Sequence, residues 1–128
     1  MKRLLLGLML LMTATAASAE WTPIGSGDSF IQYADKATIR PNGNFVKMWL
    51  LYDFKTVRTS VGHSYLSEKA QMENDCKEER LRVLALSWFS GQMGSGNVVY
   101  SDSDAGKWTP VAPGSIGEIQ WNIACGKK

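Results

Sequence analysis

Two cysteines, Cys76 and Cys125, constrain what this chain can fold into more than any other feature of its sequence. Cys76 divides the run Tyr65 to Gly91 into a polar arm (Ser67 to Asp75) and an apolar arm (Leu81 to Phe89), and Cys125 lies three residues from the C-terminus. The chain opens as exported proteins do. Lys2 and Arg3 give a positive start, Leu4 to Met12 an apolar stretch, and Ala17-Ser18-Ala19 a small-residue cleavage site. An even pair of cysteines in an exported chain is most simply a disulfide. A two-cysteine metal site or a redox pair is the alternative, and against it stand the lack of any C-x-x-C and the single histidine, His63. A bond closing so long a loop stabilises a fold by about 4 kcal/mol in the chain-entropy model, a large share of a small domain's stability. It would fasten the tail to the middle of the chain.

Removing residues 1 to 19 from the 128 leaves 109, the size of one domain with a single core, beginning at Glu20. An uncleaved N-terminal anchor is the alternative reading of the leader. Its apolar stretch is shorter than the about 20 residues of a membrane-spanning helix, and nothing later is apolar enough to span. No cysteine stands at the cleavage site, so no lipid attachment is expected. Cleavage also removes Lys2 and Arg3, leaving 12 basic residues against 12 acidic ones. A formally neutral domain lacks the electrostatic footprint of a nucleic-acid binder.

Along the mature chain, Trp21 to Ile24 reads as a short edge strand and Gly25 to Asp28 as a turn. Ser29 to Ala34 alternates as a strand with one face partly wet, Asp35-Lys36 is expected to turn, and Ala37 to Arg40 to return. Pro41-Asn42-Gly43-Asn44 is the strongest hairpin signal. Phe45 to Phe54 is apolar on both faces and reads as a central strand, followed by a polar, loop-like Lys55 to Ser64. For the segment around Cys76, two antiparallel strands meeting near Cys76 to Glu79 are favoured, with a helix over residues 67 to 75 as the alternative. A glycine-rich turn (Gly91 to Asn97), a strand at Val98 to Tyr100, a polar loop (Ser101 to Gly106) and an edge strand at Trp108 to Val111 follow. Ser115 and Glu118 have the spacing of a capping box. The helix they open places Ile116, Ile119 and Ile123 on one face, with Gly126 as its stop. The fold class is therefore α+β: a single antiparallel sheet of about six strands with a C-terminal helix packed on it and one disulfide.

The order of these pieces resembles the surface-adhesin protein E family. The pieces are Trp21 with Ile24; Val46, Trp49, Leu51 and Asp53; Tyr65 and Ser67; Asp75-Cys76 followed by Arg80 and Arg82; Ser90-Gly91; Trp108, Pro110, Val111 and Pro113-Gly114-Ser115; and Ala124-Cys125. The resemblance spans essentially the whole mature chain. It implies an antiparallel sheet, a C-terminal helix and a disulfide between the two matching cysteines. It also implies binding of extracellular host proteins such as vitronectin, laminin and plasminogen.

No set of residues demands a catalytic chemistry. Gly62-His63-Ser64-Tyr65 puts a histidine beside a serine, but neighbours on an extended segment point apart, and a nucleophile elbow needs a glycine where Leu66 stands. Glu73, Asp75, Glu78 and Glu79 could supply two carboxylates to a sugar cleft. Flanked by Lys69, Lys77, Arg80 and Arg82, they read instead as a solvated charged surface with cross-strand ion pairs. Asp102-Ser103-Asp104 lacks most positions of a calcium loop, and the Gly91 to Gly96 glycines lack a dinucleotide fingerprint and its βαβ setting. No cofactor or metal is expected. Of five tryptophans, Trp49 and Trp88 suit core and sheet-face packing, while Trp21, Trp108 and Trp121 are the better candidates for a partly exposed binding surface.

The expectation is a non-catalytic exported protein of the periplasm or cell surface, a protein-binding, adhesin-like module whose partners are extracellular or envelope proteins. The alternatives are a structural or accessory periplasmic protein, as a homodimer joined along a sheet edge, and a small hydrolase using the Glu73 to Glu79 carboxylates.

Overall fold

The computed structural model describes residues 19–127, so all but the last residue of the leader sequence lies outside the described residues. The chain forms β1 (Thr22–Ser26), β2 (Phe30–Asn42), β3 (Phe45–Ser60), β4 (His63–Asp75), β5 (Arg80–Phe89), a 3₁₀ turn (Gln92–Gly94), β6 (Val98–Asp102), β7 (Thr109–Pro110) and α1 (Ile116–Ala124). The strands make one antiparallel sheet in the order β1-β2-β3-β4-β5-β6, with β7 paired to the far end of β5. Consecutive strands pair throughout this meander, as short connections favour.

The centre of the sheet forms where the sequence is apolar on both faces. In β3, Val46, Met48, Leu50, Leu51 and Phe54 are all buried. Residues opposite one another on neighbouring strands share a face, so the register sorts the side chains into rows. One face carries Gln32, Tyr52, Glu68, Trp88 and Tyr100 in a row across five strands, and next to it Ala34, Leu50, Ala70, Leu86 and Asp102. Helix α1 packs on this face. Ala124 joins Ala34, Val46, Met48, Leu50, Ala70 and Met72 in the main core, and Phe54, Tyr65 and Trp88 form a second, aromatic core beyond it.

Ser115 caps α1, its Oγ accepting from the Glu118 amide at 3.2 Å, and Glu118 Oε1 reaches back to the Gly114 amide at 3.4 Å. The helix stops where the Lys127 amide bonds back to Asn122 O at 2.8 Å and the Gly126 amide to Ile123 O at 3.3 Å. That pattern is a Schellman motif. Its inward residues are Gln120, Trp121 and Ala124. Ile116 and Ile119, expected on the buried face, are exposed, because polar contacts rather than aliphatic periodicity orient the helix. Cys76 and Cys125 form a disulfide, with a sequence separation of 49.

Residues 67 to 75 are strand, not helix. They pair on both sides, with β3 and β5, and ladder bonding on two edges overrides a helical preference that local propensity expresses only weakly. Two other expectations are corrected. Asp35-Lys36 does not reverse the chain: β2 runs on to Asn42 through an irregularity between Asp35 and Arg40. There Asp35 Oδ1 accepts from the Ala37 amide at 3.2 Å, Thr38 Oγ1 donates to Asp35 O at 2.6 Å, and the Trp49 amide donates to Thr38 Oγ1 at 2.9 Å. The threonine hydroxyl thus replaces a missing ladder partner. Lys55 to Ser64 is likewise no loop, because Arg58, Thr59 and Ser60 pair with Tyr65, Ser64 and His63. The hairpin at Asn42 is present, but Gly43 and Asn44 are its central pair, with Gly43 at φ +62° where a II′ turn calls for glycine.

Candidate functional site

Among the described residues, the sheet face opposite α1 has no helix over it, and it carries Phe45, Trp49, Trp108, Arg80 and Arg82. Its rows are Asp35, Trp49, Gln71 and Ala85; then Lys47, Glu73 and Arg82; then Phe45, Asp75, Arg80 and Pro110. From Trp49 to Phe45 is about 13 Å along the strand.

At one end Trp108, half-buried in the segment leading into β7, lies with its ring 5.6 Å from that of Phe45 at an interplanar angle of 30°. The guanidinium carbons of Arg80 and Arg82 stand 4.5 and 4.4 Å from the Trp108 ring centroid. Cross-strand carboxylates hold both arginines there: Arg80 Nε donates to Asp75 Oδ2 at 2.9 Å and Arg82 Nε to Glu73 Oε1 at 2.8 Å. A cleft of about 490 Å³ opens beside them, lined by Glu78, Arg80, Trp108, Thr109 and Pro110.

At the other end a groove of about 270 Å³ runs between Trp21 and Trp49, with Ala19, Asp35, Thr38 and Lys69 completing its walls. Lys69 Nζ lies 5.0 Å from the Phe89 ring centroid and 6.0 Å from that of Trp21. Aromatic rings beside guanidinium and ammonium groups, with carboxylates interspersed, can receive a partner by stacking and by charge. Such residues are those that most often dominate the energy of protein interfaces.

Of the three tryptophans singled out from the sequence, Trp21 and Trp108 stand half-buried on this face. Trp121 does not. It is 5% exposed, and its Nε1 donates to Asp75 O at 3.1 Å beneath the turn that carries Cys76. The capped helix rotates it inward, so it is a structural residue. Trp88 is core, and Trp49 lies on the sheet face, where it lines the groove. Phe45, Arg80 and Arg82 complete the Trp108 cluster; the sequence marks the two arginines only as part of the family pattern and of a charged surface, because the β3–β4, β4–β5 and β5–β7 registers are what bring the three to one indole.

The carboxylates weighed for acid–base work are engaged differently from one another. The cross-strand ion pairs are present, but Asp75 is not solvated: it is 2% exposed. Its Oδ1 accepts from the Glu78 and Lys77 amides at 3.0 and 3.1 Å, building the β4–β5 turn. The Glu78 amide first, then Arg80 and the Lys77 amide, hold its carboxyl below the usual range against the opposing effect of burial. Glu78 and Glu79 are exposed on the turn itself. Ser64 Oγ and Thr59 Oγ1 share a hydrogen bond at 3.3 Å, and His63 packs on Tyr100 at 5.6 Å. Asp102 Oδ1 accepts from the Asp104 amide at 2.8 Å, closing a turn, and the Gly91 amide bonds to Ser95 O at 3.0 Å, closing another. Among the described residues, no three or more His, Cys, Asp or Glu side chains cluster to hold a metal ion.

A polar row under the other face has no signature in the sequence. Trp88 Nε1 donates to Glu68 Oε1 at 2.7 Å, and Gln32 Nε2 to the Tyr52 hydroxyl at 3.3 Å. Burial pushes the Glu68 carboxyl up, opposed by the Trp88 hydrogen bond and the Arg58 charge. Burial and the Glu68 charge push the Tyr52 hydroxyl up to about 12. Gln32 Oε1 has no partner although Gln32 is fully buried.

The family model described as surface-adhesin protein E matches residues 21–126. No functionally curated protein sequence matches the chain. Among solved structures, crystal form II of Haemophilus influenzae protein E is similar with a TM-score of 0.62 at 12% identity, over 86% of this chain and 97% of that one. A second structure of Haemophilus influenzae protein E gives 0.60 at 12% identity, over 81% and 89%, and its selenomethionine form 0.59 at 11%, over 85% and 95%. At this identity the likeness is one of fold.

Proposed function

The chain belongs to the surface-adhesin protein E family, and from that premise we propose that it is an exported, non-catalytic module that binds protein partners through the helix-free face of its sheet. The observation that carries this reading is the Trp108 cluster. An indole lies between Phe45 and two arginines fixed by carboxylates, beside an open cleft. Holding those arginines in place reduces the side-chain entropy lost on binding. Trp21 and Trp49 supply a second anchor at the far end of the same face.

The reading includes maturation. Residues 1 to 19 are removed as a leader, residues 20 to 128 form the binding domain, and the product is delivered to the periplasm or the cell surface. Among the described residues no helix is long and apolar enough to cross a membrane. Extracellular host proteins are the partners that the family's adhesin character favours. The rival reading, an accessory envelope protein that self-associates along a sheet edge, has less support. Edge strand β1 carries Pro23 and a register irregularity between Pro23 and Gly25, and both features discourage strand addition.

The test is retention of matrix proteins and envelope extracts on the immobilised mature domain, compared with Trp108→Ala and Trp21→Ala. Retention that weakens at least about tenfold in Trp108→Ala supports the reading. A partner retained equally by both variants and the parent would place binding elsewhere and refute it.

A further inference from the structure

Two lysines flank the Trp21–Trp49 groove, and among the described residues neither pairs with a carboxylate. Lys47 stands opposite Glu73 on the β3–β4 ladder, but Arg82 holds that carboxylate from the other side, through Nε at 2.8 Å and Nη2 at 2.7 Å. Lys47 is left exposed and free. Lys69 stands opposite Leu51 on one side and Ser87 on the other, so no acid faces it across either ladder.

Packing holds Lys69 where it is. Its stem lies under the 3₁₀ turn, where a Cβ at Gly94 would come within 2.5 Å of Lys69 Cε, so only glycine leaves room for it. The Met93 amide to Asp53 Oδ1 and the Gly94 amide to Ser67 Oγ, both at 2.8 Å, fasten that turn to the sheet. Lys69 Nζ is thereby kept near the Phe89 and Trp21 rings, in the groove wall. An ammonium fixed before binding loses little side-chain entropy when an anion arrives.

The register sets the spacing. Trp49 pairs with Gln71, and the Lys69 and Lys47 rows lie one to either side of that pair. The two lysines are therefore about 13 Å apart along the strands, with the indole between them. An extended chain laid along β3 and β4 turns every second side chain toward the sheet. A side chain of that chain over Trp49 is then flanked, two positions away on each side, by side chains that meet Lys69 and Lys47.

The acids of this face are engaged or stand at its rim. Asp35 is 6% exposed and its Oδ1 accepts from the Ala37 amide, Asp53 accepts from the Met93 amide, and Glu73 and Asp75 hold the arginines. Glu78 and Glu79 are exposed on the β4–β5 turn, and Glu20 is exposed beside Trp21. Leader removal would put the α-ammonium of Glu20 where Ala19 lines the groove, offsetting the Glu20 carboxylate. Arg40 Nη1 is taken up by the carbonyls of Ala37 and Ile39.

The geometry points to an acidic, extended protein segment as the ligand of this groove. One aromatic or large apolar side chain lies between Trp21 and Trp49, and carboxylates two residues to either side of it meet Lys69 and Lys47. This rests on the reading of the helix-free face as a protein-binding surface and names the partner's chemistry. A sulfated polysaccharide offers anions but no apolar side chain to fill the groove.

The test is an NMR titration of the mature chain, following the tryptophan indole N–H signals. The probe is an acetylated, amidated heptapeptide with phenylalanine at its centre, glutamate two positions to either side and serine elsewhere. Saturable shifts of the Trp21 and Trp49 signals are expected. A peptide with lysine for both glutamates should not bind, and high salt should weaken the parent peptide. Trp49→Ala weakens binding at least about tenfold, and Lys47→Gln and Lys69→Gln about threefold to fivefold each. Lys47 is exposed, so Lys47→Gln melts with the parent and separates lost binding from misfolding. No saturable shift, equal binding of the lysine peptide, shifts centred on Trp108, unchanged affinity in both lysine variants, or displacement of the peptide by heparin at lower concentration than by unlabelled peptide overturns the inference. If a partner protein is retained through Trp21 and Trp108 while the peptide does not bind, the inference fails and the reading of the face stands. Retention indifferent to both tryptophans sinks that reading whatever the peptide does.

Discussion

Asn74 on β4 and Gln120 on α1 are both fully buried and exchange two side-chain hydrogen bonds, Gln120 Nε2 to Asn74 Oδ1 at 2.7 Å and Asn74 Nδ2 to Gln120 Oε1 at 3.2 Å. Hydrophobic contact alone leaves a short helix free to rotate on a sheet. A reciprocal amide pair permits one docking, because every alternative leaves buried donors unsatisfied. Gln120→Leu is expected to cost about 2 to 3 kcal/mol in urea unfolding, as it strands Asn74 Oδ1 in the core and leaves Asn74 Nδ2 only its bond to Val46 O. The Asn74→Leu/Gln120→Leu double variant should recover part of that loss, and a strictly additive double variant would contradict the pairing.

Cys76–Cys125 closes the same helix onto the β4–β5 turn, with 49 residues of separation. Reduction, or serine at both positions, is expected to remove about 4 kcal/mol. For a domain of this size the melting temperature should fall by more than about 10 °C. A melting curve indifferent to reductant would contradict this.

Trp108 and Trp121 should separate binding from stability. Trp121→Ala empties a buried site and removes the bond to Asp75 O, so a loss of about 3 to 5 kcal/mol is expected. Trp108→Ala should lose about 1 to 2 kcal/mol, the scale of an exposed stacking and cation–π contact, with its main effect on partner retention. Thermal melts of both variants run beside the retention assay read the two effects separately.

Asp75 and Glu68 tilt the pH dependence of stability in opposite directions. The amides of Glu78 and Lys77 and the Arg80 guanidinium hold the Asp75 carboxyl low in the folded state. Its contribution is therefore complete above the ordinary carboxylate range and disappears as pH falls through the lowered folded value. Burial raises the Glu68 carboxyl. The folded protein then keeps that proton to higher pH than the unfolded chain, and stability declines as pH rises from the ordinary range through the raised value. Glu68→Gln retains an acceptor for Trp88 Nε1 and should flatten that decline, with a gain at neutral pH. Asp75→Asn should lose stability at neutral pH and flatten the acid limb. Urea midpoints across a pH series check both.

Much of this architecture was legible locally. Phe45 to Phe54 is apolar at odd and even positions alike, which only a central strand can bury. Ser115 and Glu118 are spaced to cap each other across the first turn of a helix, and the strands flanking Cys76 to Glu79 followed from the change of composition there. Trp21 and Trp108 were recognisable as amphipathic residues in short edge segments. The misreadings have one origin. Lys55 to Ser60 alternates no hydrophobic face and became strand only because β4 pairs with it, and Asp35 to Arg40 stayed in β2 because Thr38 could bond the Trp49 amide. Trp121 was misjudged because which side of α1 faces the sheet depends on Asn74, some 46 positions away.

The sequence by itself determined the central strand, the capped C-terminal helix, the cysteine pairing and the family, since propensity, capping and apolar patterning act over a few residues and are written in them. Tertiary structure alone decided the docking of the helix, the burial of Trp121, and the meeting of Phe45, Arg80, Arg82 and Trp108. Each of these depends on strand register and on buried hydrogen bonds between distant segments, and their energies do not exist until the chain has closed on itself.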